Sequence, residues 1–278
     1  MSAPPDSAMG ATGVRLTLRA PLDARVDASS LSPAALAGLR PAAVAALTLP
    51  WGAGIAPVGE LFDVSASDGP GLVLSGDPRL DFVGAGLAEG EIIVEGPAGV
   101  CAGAGMSGGR LVIAGDAGDS LAAGMSGGRI EVAGRAGDGV GGARPGERQG
   151  MSGGTVAIAG SAGAGLGARL RGGLILVGGD VGPRAADGLV AGTLAVAGRL
   201  GPGAGRGMKR GTLILAAAAD SLAPGFVDAG PQDFIMLQLL GRRVPELGAL
   251  FGSRLTGRAL RLVGNRLAGG EGEILVLQ

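Results

Sequence analysis

Residues 105–115 read G-M-S-G-G-R-L-V-I-A-G, and residues 124–134 read G-M-S-G-G-R-I-E-V-A-G. The two stretches lie nineteen residues apart, and the same spacing continues on both sides of them. One glycine recurs at the following positions: Gly71, Gly90, Gly109, Gly128, Gly154, Gly173, Gly192 and Gly211. Only the step from Gly128 to Gly154 is longer, at twenty-six residues. A fixed short period predicts a solenoid in which each repeat contacts only its neighbours.

The residues two and four positions after each repeating glycine are almost all aliphatic. Those at position two are Val73, Ile92, Leu111, Ile130, Val156, Ile175, Leu194 and Leu213. Those at position four are Ser75, Val94, Ile113, Val132, Ile158, Val177, Val196 and Leu215. Alternate residues of a strand share a face, so we predict that both positions point inward. The position between them varies freely and is expected to point outward.

Two further columns repeat with the same period. A second set of inward residues is predicted three positions before each glycine: Leu87, Met106, Met125, Met151, Leu170, Leu189 and Met208. Nine positions after it stand Gly99, Gly118, Gly137, Gly163, Gly182 and Gly201. A glycine at every repeat suits a bend with positive φ, or a close approach of backbones between stacked repeats.

The repeats predict an all-β solenoid, namely a right-handed parallel β-helix of about eight coils, because parallel crossovers are almost always right-handed. A left-handed hexapeptide helix is the alternative, but a period of nineteen does not divide into six-residue units. We predict a disordered tail at 1–13, an N-terminal cap at 14–63, the β-helix at 64–225, and a C-terminal helical cap with a final strand at 226–278.

Within the two caps the sequence also predicts individual elements. Residues 14–18 alternate as a strand does, and Ser32 followed by Pro33 is typical of a helix start. A second helix is expected from Pro41 to Leu47. In the C-terminal segment we predict a helix over 234–240, further helix within 245–268 and a strand over 273–277.

The composition excludes several classes of function. The net charge is −1, Tyr is absent and Trp51 is the only tryptophan, so we expect neither nucleic acid nor a membrane surface as a partner. No apolar run approaches the roughly 20 residues that span a bilayer, and we expect a soluble cytoplasmic protein. Because the chain has no histidine and only Cys101, we predict no catalytic residue and no metal site. Cys101 itself is expected to be a small buried apolar residue.

Polar side chains form columns on the predicted outer surface. Arg110 and Arg129 would lie in adjacent repeats, where they form either a solvated face or an anion-binding strip, since guanidinium groups suit carboxylates. The longer step adds seven residues within 141–149. This insertion is interpreted either as a tolerated surface loop or as a contact with a partner protein of the same assembly.

The chain resembles the C subunit of formylmethanofuran dehydrogenase. The resemblance rests on the G-x-x-G-G-hydrophobic repeats, on L-S-P-A-A-L-A-G-L at 31–39, on G-E-L-F-D-V at 59–64 and on G-E-I-L at 272–275. It covers roughly residues 14–278. The C-terminal domain of the glutamate synthase large subunit has similar repeats and is the alternative relative. A free solenoid that binds ice or surfaces is a further alternative, but threonine occupies its column irregularly.

The resemblance implies a non-catalytic scaffold subunit that binds the catalytic subunits of a hetero-oligomeric enzyme. In methanogens that enzyme is a tungsten or molybdenum formylmethanofuran dehydrogenase. In methylotrophic bacteria a formyltransferase/hydrolase complex passes the formyl group from tetrahydromethanopterin to a methanofuran-type carrier and releases formate. The Arg-rich composition, with Lys209 as the only lysine, favours the bacterial complex. No cofactor is expected in this chain. Carriers of this type have glutamate-rich tails, which a strip of Arg110, Arg129, Arg171 and Lys209 could guide.

Overall fold

The computed structural model describes residues 13–278 apart from residues 68, 70, 220 and 256. The predicted tail at 1–13 therefore lies outside the described residues, except Gly13. The strands are β1 (Gly13–Leu18), β2 (Val26–Asp27), β3 (Thr48–Trp51), β4 (Gly54–Pro57), β5 (Phe62–Ser67), β6 (Leu72–Ser75), β7 (Leu80–Asp81), β8 (Glu91–Glu95), β9 (Ser107–Ile113), β10 (Gly127–Val132), β11 (Thr155–Ile158), β12 (Leu174–Val177), β13 (Thr193–Val196), β14 (Thr212–Leu215), β15 (Val227–Asp233), β16 (Arg258–Gly264) and β17 (Gly272–Leu277). The helices are α1 (Pro33–Leu36), α2 (Pro41–Ala45), α3 (Val58–Leu61), α4 (Ile235–Arg243) and α5 (Pro245–Phe251).

Most strands belong to one 13-stranded sheet that is mainly parallel. Its order is β15-β16-β17-β14-β13-β12-β11-β10-β9-β8-β6-β1-β5, and a smaller sheet has the order β4-β3-β2-β7. All neighbours from β1 through β14 to β17 are parallel, whereas β5 at one edge and β15 and β16 at the other are antiparallel. The mostly-β class and the parallel pairing of the repeats are thus as predicted.

Like positions of successive repeats lie side by side in this sheet. Ile92 pairs with Leu111, Leu111 with Ile130, and Ile130 with Val156 across the longer step. A second column of isolated parallel bridges runs eight residues after the repeating glycine, through Ala98, Ala117, Ala136, Ala162, Val181 and Leu200. The insertion therefore leaves the register of both columns intact.

The predicted inward positions are buried in all repeats but the first. From β8 to β14 the residues two and four positions after the glycine are at most 3% exposed, and so are the residues three positions before it. They join one apolar core that extends from Leu16 to Val276. Each such side chain contributes roughly 1.5–3 kcal/mol when it leaves water, which offsets the conformational entropy lost by a glycine-rich backbone.

The register predicted for the first repeat is wrong by one residue. Leu72 and Leu74 are buried there, whereas Val73 and Ser75 are only partly buried. Leu72 pairs with Ile92, a step of twenty residues instead of nineteen. The side-chain period of a strand is two, so this shift of one residue exchanges the two faces of β6.

The outward position is also wrong for three repeats. Leu176, Ala195 and Ile214 stand between the two inward positions, yet each is at most 2% exposed. They pack in a second apolar cluster with Leu237 of α4 and with Leu247 and Phe251 of α5. The two C-terminal helices thus cover the outer face of the last strands, and these strands are apolar on both faces because both faces are buried.

The glycine column nine positions after the repeating glycine marks a close approach of two backbones. A Cβ on Gly118 would lie 2.7 Å from the carbonyl carbon and oxygen of Gly99 in the preceding repeat. Positive φ is found instead at the repeating glycines, for example +86° at Gly128. The close-approach interpretation is therefore confirmed for Gly118, and the positive-φ interpretation is not.

Several elements near the chain ends are as predicted. The Ser32 Oγ accepts a hydrogen bond from the Ala35 N–H at 3.1 Å and caps α1, which begins at Pro33. The predicted strands at 14–18 and 273–277 correspond to β1 and β17, and the helix predicted over 234–240 corresponds to α4. The further helix predicted within 245–268 corresponds to α5, whereas residues 258–264 of the same range form β16 and pair with β17.

Candidate functional site

Arg110 and Arg129, two of the four residues predicted for an anion-binding strip, are neighbours on the outer face. Arg110 on β9 pairs in register with Arg129 on β10. Both guanidinium groups, however, already contact carboxylates of this chain. Arg110 donates to Glu91 and to Glu131, the latter at 2.8 Å between Nη2 and Oε2, and Arg129 donates to Glu131 and to Glu246 of α5. We call these five residues the outer-face ion network.

The outer-face ion network carries no net positive charge, because two guanidinium groups meet three carboxylates. Hydrogen bonds from Arg110, and then from Arg129, hold the pKa of Glu131 below its usual value although burial opposes them. Hydrogen bonds to Glu131 and Glu91 raise the pKa of Arg110. Burial is the largest influence on Arg129 and lowers its pKa, but hydrogen bonds to Glu131 and Glu246 outweigh it and the net shift is upward. The contact between Arg129 on β10 and Glu246 joins α5 to the sheet.

A groove of about 710 Å³ lies beside this network, between the outer face of the sheet and α5. Its apolar wall includes Val112, Ala157, Leu176, Ala249 and Leu250, and three members of the network form its polar end: Arg129, Glu131 and Glu246. Each charged side chain among the described residues that line the groove has an ion-pair partner, so none is left to select an ion. Its shape and lining suit an apolar group more than an anion.

The insertion builds a second recess with a different electrostatic character. Glu147 accepts a hydrogen bond from Arg144 at 2.9 Å, and its backbone carbonyl accepts one from Arg169 at 3.1 Å. Arg148 and Arg171 line the same recess of about 540 Å³. Arg144 thus contacts the Glu147 carboxylate and Arg169 its backbone carbonyl, while Arg148 and Arg171 line the recess together with Glu147. Hydrogen bonds from Arg144 lower the pKa of Glu147, although burial opposes them.

The other two predicted strip residues lie away from the outer-face ion network. Arg171 is exposed and belongs to the insertion recess. Lys209 is exposed two repeats further along the column that contains Arg171. Among the described residues no carboxylate forms an ion pair with Arg171 or Lys209. Of the four predicted strip residues, Arg110 and Arg129 are thus neutralised by carboxylates of this chain, whereas Arg171 and Lys209 form no ion pair with a described residue.

The sequence analysis missed the carboxylates of the network and a ladder of aspartates. Asp116 accepts a hydrogen bond from the Arg135 N–H at 2.8 Å, and Asp119 accepts one from the Asp138 N–H at 2.8 Å, each one repeat further on. Asp180 does the same for Arg199 at 2.7 Å. The motif G-D-A-G-D at 115–119 could have revealed this ladder, because its aspartates flank Gly118, where the backbones of adjacent repeats approach each other.

Three further predictions concern metal sites, the thiol of Cys101 and membrane-spanning segments. Within the described residues no group of three His, Cys, Asp or Glu side chains could hold a metal ion. Cys101 is buried, as predicted, and has a φ of +59°. A search of the described residues finds no helix both long enough and apolar enough to cross a membrane.

The fold and these sites define a repeat protein whose polar groups stand on its outer surfaces. No protein-family model matches the chain. A curated protein from Methylorubrum extorquens, the C subunit of the formyltransferase/hydrolase complex Fhc, is 40% identical over 85 residues. That alignment covers 30% of this chain and spans about a third, 32%, of the relative.

A solved structure extends the comparison to nearly the whole chain. It is the crystal structure of the formyltransferase/hydrolase complex FhcABCD from Methylorubrum extorquens in complex with methylofuran. One of its chains is 38% identical to this chain with a TM-score of 0.88, and the alignment covers 95% of this chain and 99% of that one. The chain therefore belongs to the family of C subunits of formyltransferase/hydrolase complexes. This result favours the first of the two resemblances over the glutamate synthase domain.

Proposed function

We propose that this chain is a non-catalytic scaffold subunit of a formyltransferase/hydrolase complex. In that complex a formyl group passes from formyl-tetrahydromethanopterin to a methanofuran-type carrier, and formate is released in one-carbon oxidation. The observation that carries the proposal is the alignment over 99% of a chain of the FhcABCD complex. The other subunits of the complex are its partners, and the cytoplasm is its location.

The proposed architecture is a right-handed parallel β-helix of about eight coils, with caps at 14–63 and 226–278 around a body at 64–225. Support comes from two parallel columns of the same period, one of strands and one of isolated bridges. A β-helix is a rigid body whose length grows with the number of coils. Its large outer surfaces suit a subunit that holds others in place.

Reconstitution of the complex tests the scaffold role. We expect the isolated chain to show no formyl transfer and no formate release, because it has no histidine to activate a serine and its single cysteine, Cys101, is buried. A preparation of the other subunits without this chain should lose assembly and activity, and adding the chain should restore both. The readouts are formate release and the mass of the assembled particle. Activity of the isolated chain comparable to that of the complex would refute the proposal.

We also propose that the strip of Arg110, Arg129, Arg171 and Lys209 guides the anionic tail of the carrier. Within this strip, Arg171 and Lys209 supply most of the attraction. The methylofuran bound in the related FhcABCD structure supports a carrier of this type for the complex. Arg110 and Arg129 are occupied by carboxylates of this chain, whereas Arg171 shares the insertion recess with Arg148. Within this strip, and among the residues that the structure describes, an anionic tail would therefore meet uncompensated positive charge at Arg171 and Lys209.

Charge reversal in the reconstituted complex tests this choice. Arg171→Glu together with Lys209→Glu should raise the apparent KM for the carrier several-fold at low ionic strength and leave kcat unchanged, because exposed charges steer a ligand without contacting the reacting atoms. Arg184→Glu together with Arg199→Glu is the matched control, because both are exposed arginines outside the column of Arg171 and Lys209 and the change in charge is the same. An unchanged KM in the double variant would remove the carrier strip from the proposal.

A further inference from the structure

Helix α4 presents a concentrated apolar surface to solvent. Eight large apolar side chains of the described chain are exposed, and Ile235, Met236 and Leu239 of this nine-residue helix are three of them. Their exposed fractions are 74%, 54% and 51%. Single exposed apolar residues are normal on a soluble protein, but three on two turns of one helix form a patch. We call these three residues the α4 patch.

The α4 patch is not needed to hold the helix in place. The opposite side of α4 is anchored by Leu237, which is 1% exposed and packs with Leu247 and Phe251 of α5. Below them lie the outer-face residues of the sheet, and Glu246 ties α5 to Arg129. The patch thus stands on a rigid base, which lowers the entropic cost of binding a partner.

The charges around the α4 patch argue against a second copy of this chain as its occupant. Arg242 and Arg243 are exposed at the end of α4, and no carboxylate in the part of the chain that the structure describes pairs with either. Asp233, at the start of the helix, is already paired with Arg258 at 3.5 Å. Two copies packed antiparallel would set Arg242 and Arg243 of one against Asp233 of the other, whose charge Arg258 already compensates. A partner with carboxylates at one end of an apolar groove would match both features.

We propose that the α4 patch docks a neighbouring subunit of the complex, through an apolar groove with carboxylates positioned for Arg242 and Arg243. This inference rests on the proposed function, since that function supplies the multi-subunit partner. The contact with the neighbouring subunit then lies on the helical surface over the last strands. The C-terminal segment thus has a role in assembly in addition to covering the sheet.

The test uses the chain together with the other three subunits. Ile235→Asp combined with Leu239→Asp should weaken incorporation of the chain by about 100-fold, because truncating or charging central interface residues removes most of the binding energy. Arg242→Glu with Arg243→Glu leaves the apolar residues intact and should weaken incorporation about tenfold at low salt, with a smaller effect at high salt. Affinity is measured by titrating labelled chain into the remaining subunits.

Ile55→Asp is the matched control. Ile55 is 72% exposed but lies on β4, far along the chain from α4. The Ile55→Asp chain should therefore be incorporated into the complex as well as the unaltered chain. Equal melting temperatures of the isolated variants would show that each one folds. If the Ile235→Asp, Leu239→Asp variant has a lower melting temperature than the unaltered chain, the result of the Arg242→Glu, Arg243→Glu variant is the one that tests the inference. Failure of the unaltered chain to join the subunits would refute the proposed function. Normal incorporation of both double variants, or loss of chain dimers in them, would overturn the α4 inference alone.

Discussion

Gly118→Val is expected to destabilise the chain by about 3 kcal/mol or more, because overpacking against a backbone cannot be relieved by a side-chain rotation. The added Cβ would lie 2.7 Å from the Gly99 carbonyl and 2.9 Å from the Val100 nitrogen. Both groups belong to the neighbouring repeat. To admit the side chain, the bridge column and the sheet beside it would have to separate. Chemical unfolding monitored by circular dichroism measures the loss.

The matched control for this substitution is Gly54→Val. Gly54 is exposed at the start of β4, and its nearest foreign atom to an added Cβ is the Trp51 carbonyl oxygen at 3.9 Å. Valine also favours extended backbone, so we expect a change of less than about 0.5 kcal/mol. If the two variants lost the same free energy of unfolding, the close approach of repeats at Gly118 would be refuted.

Ile92→Ala is expected to cost about 2–5 kcal/mol, the range for a truncated core isoleucine that leaves a cavity. Ile92 is fully buried and stacks between Leu72 and Leu111 in the parallel sheet. Its neighbour in the strand, Ile93, points to the outer face and is only partly buried. Ile93→Ala removes the same atoms and should cost less than about 1 kcal/mol.

The comparison of Ile92 with Ile93 tests the assignment of the two faces within one strand. Backbone propensity and substituted residue type are identical in the two variants, so only the environment differs. Unfolding free energies of both proteins, measured in parallel, give the difference directly. A larger loss for Ile93→Ala would mean that the inner and outer faces of β8 had been exchanged.

The repeat pattern predicted the strands because each inward column must be apolar in every repeat for the stack to bury it. The same pattern failed at β6, where one extra residue between Leu72 and Ile92 shifts the faces and leaves the glycine spacing unchanged. It also failed at Leu176, Ala195 and Ile214. Their burial depends on α4 and α5, which follow them in the chain and carry no trace of the period.

The candidate site was less predictable than the fold for a related reason. The spacing placed Arg110 beside Arg129, and the structure agrees. Spacing does not reveal that Glu246, 117 residues from Arg129, reaches the same point. The charge of a surface strip depends on every element that packs over it, and the repeats describe only one of those elements. The insertion recess, in contrast, was signalled by the single irregular step.

The placement of β17 has a consequence for folding kinetics. Successive strands along the repeats join residues nineteen to twenty-six positions apart, but β17 pairs with β14 through Thr212 and Glu273, which are 61 residues apart. Closing this longer loop costs about 1 kcal/mol more than closing a single repeat. Pairings between distant residues form slowly. The pairing of β1 with β6, which joins Val14 to Leu72, spans a similar distance at the other end. We therefore expect the repeats to pair one after another along the chain, and the docking of β1 and of β17 to be the late, slow steps of refolding.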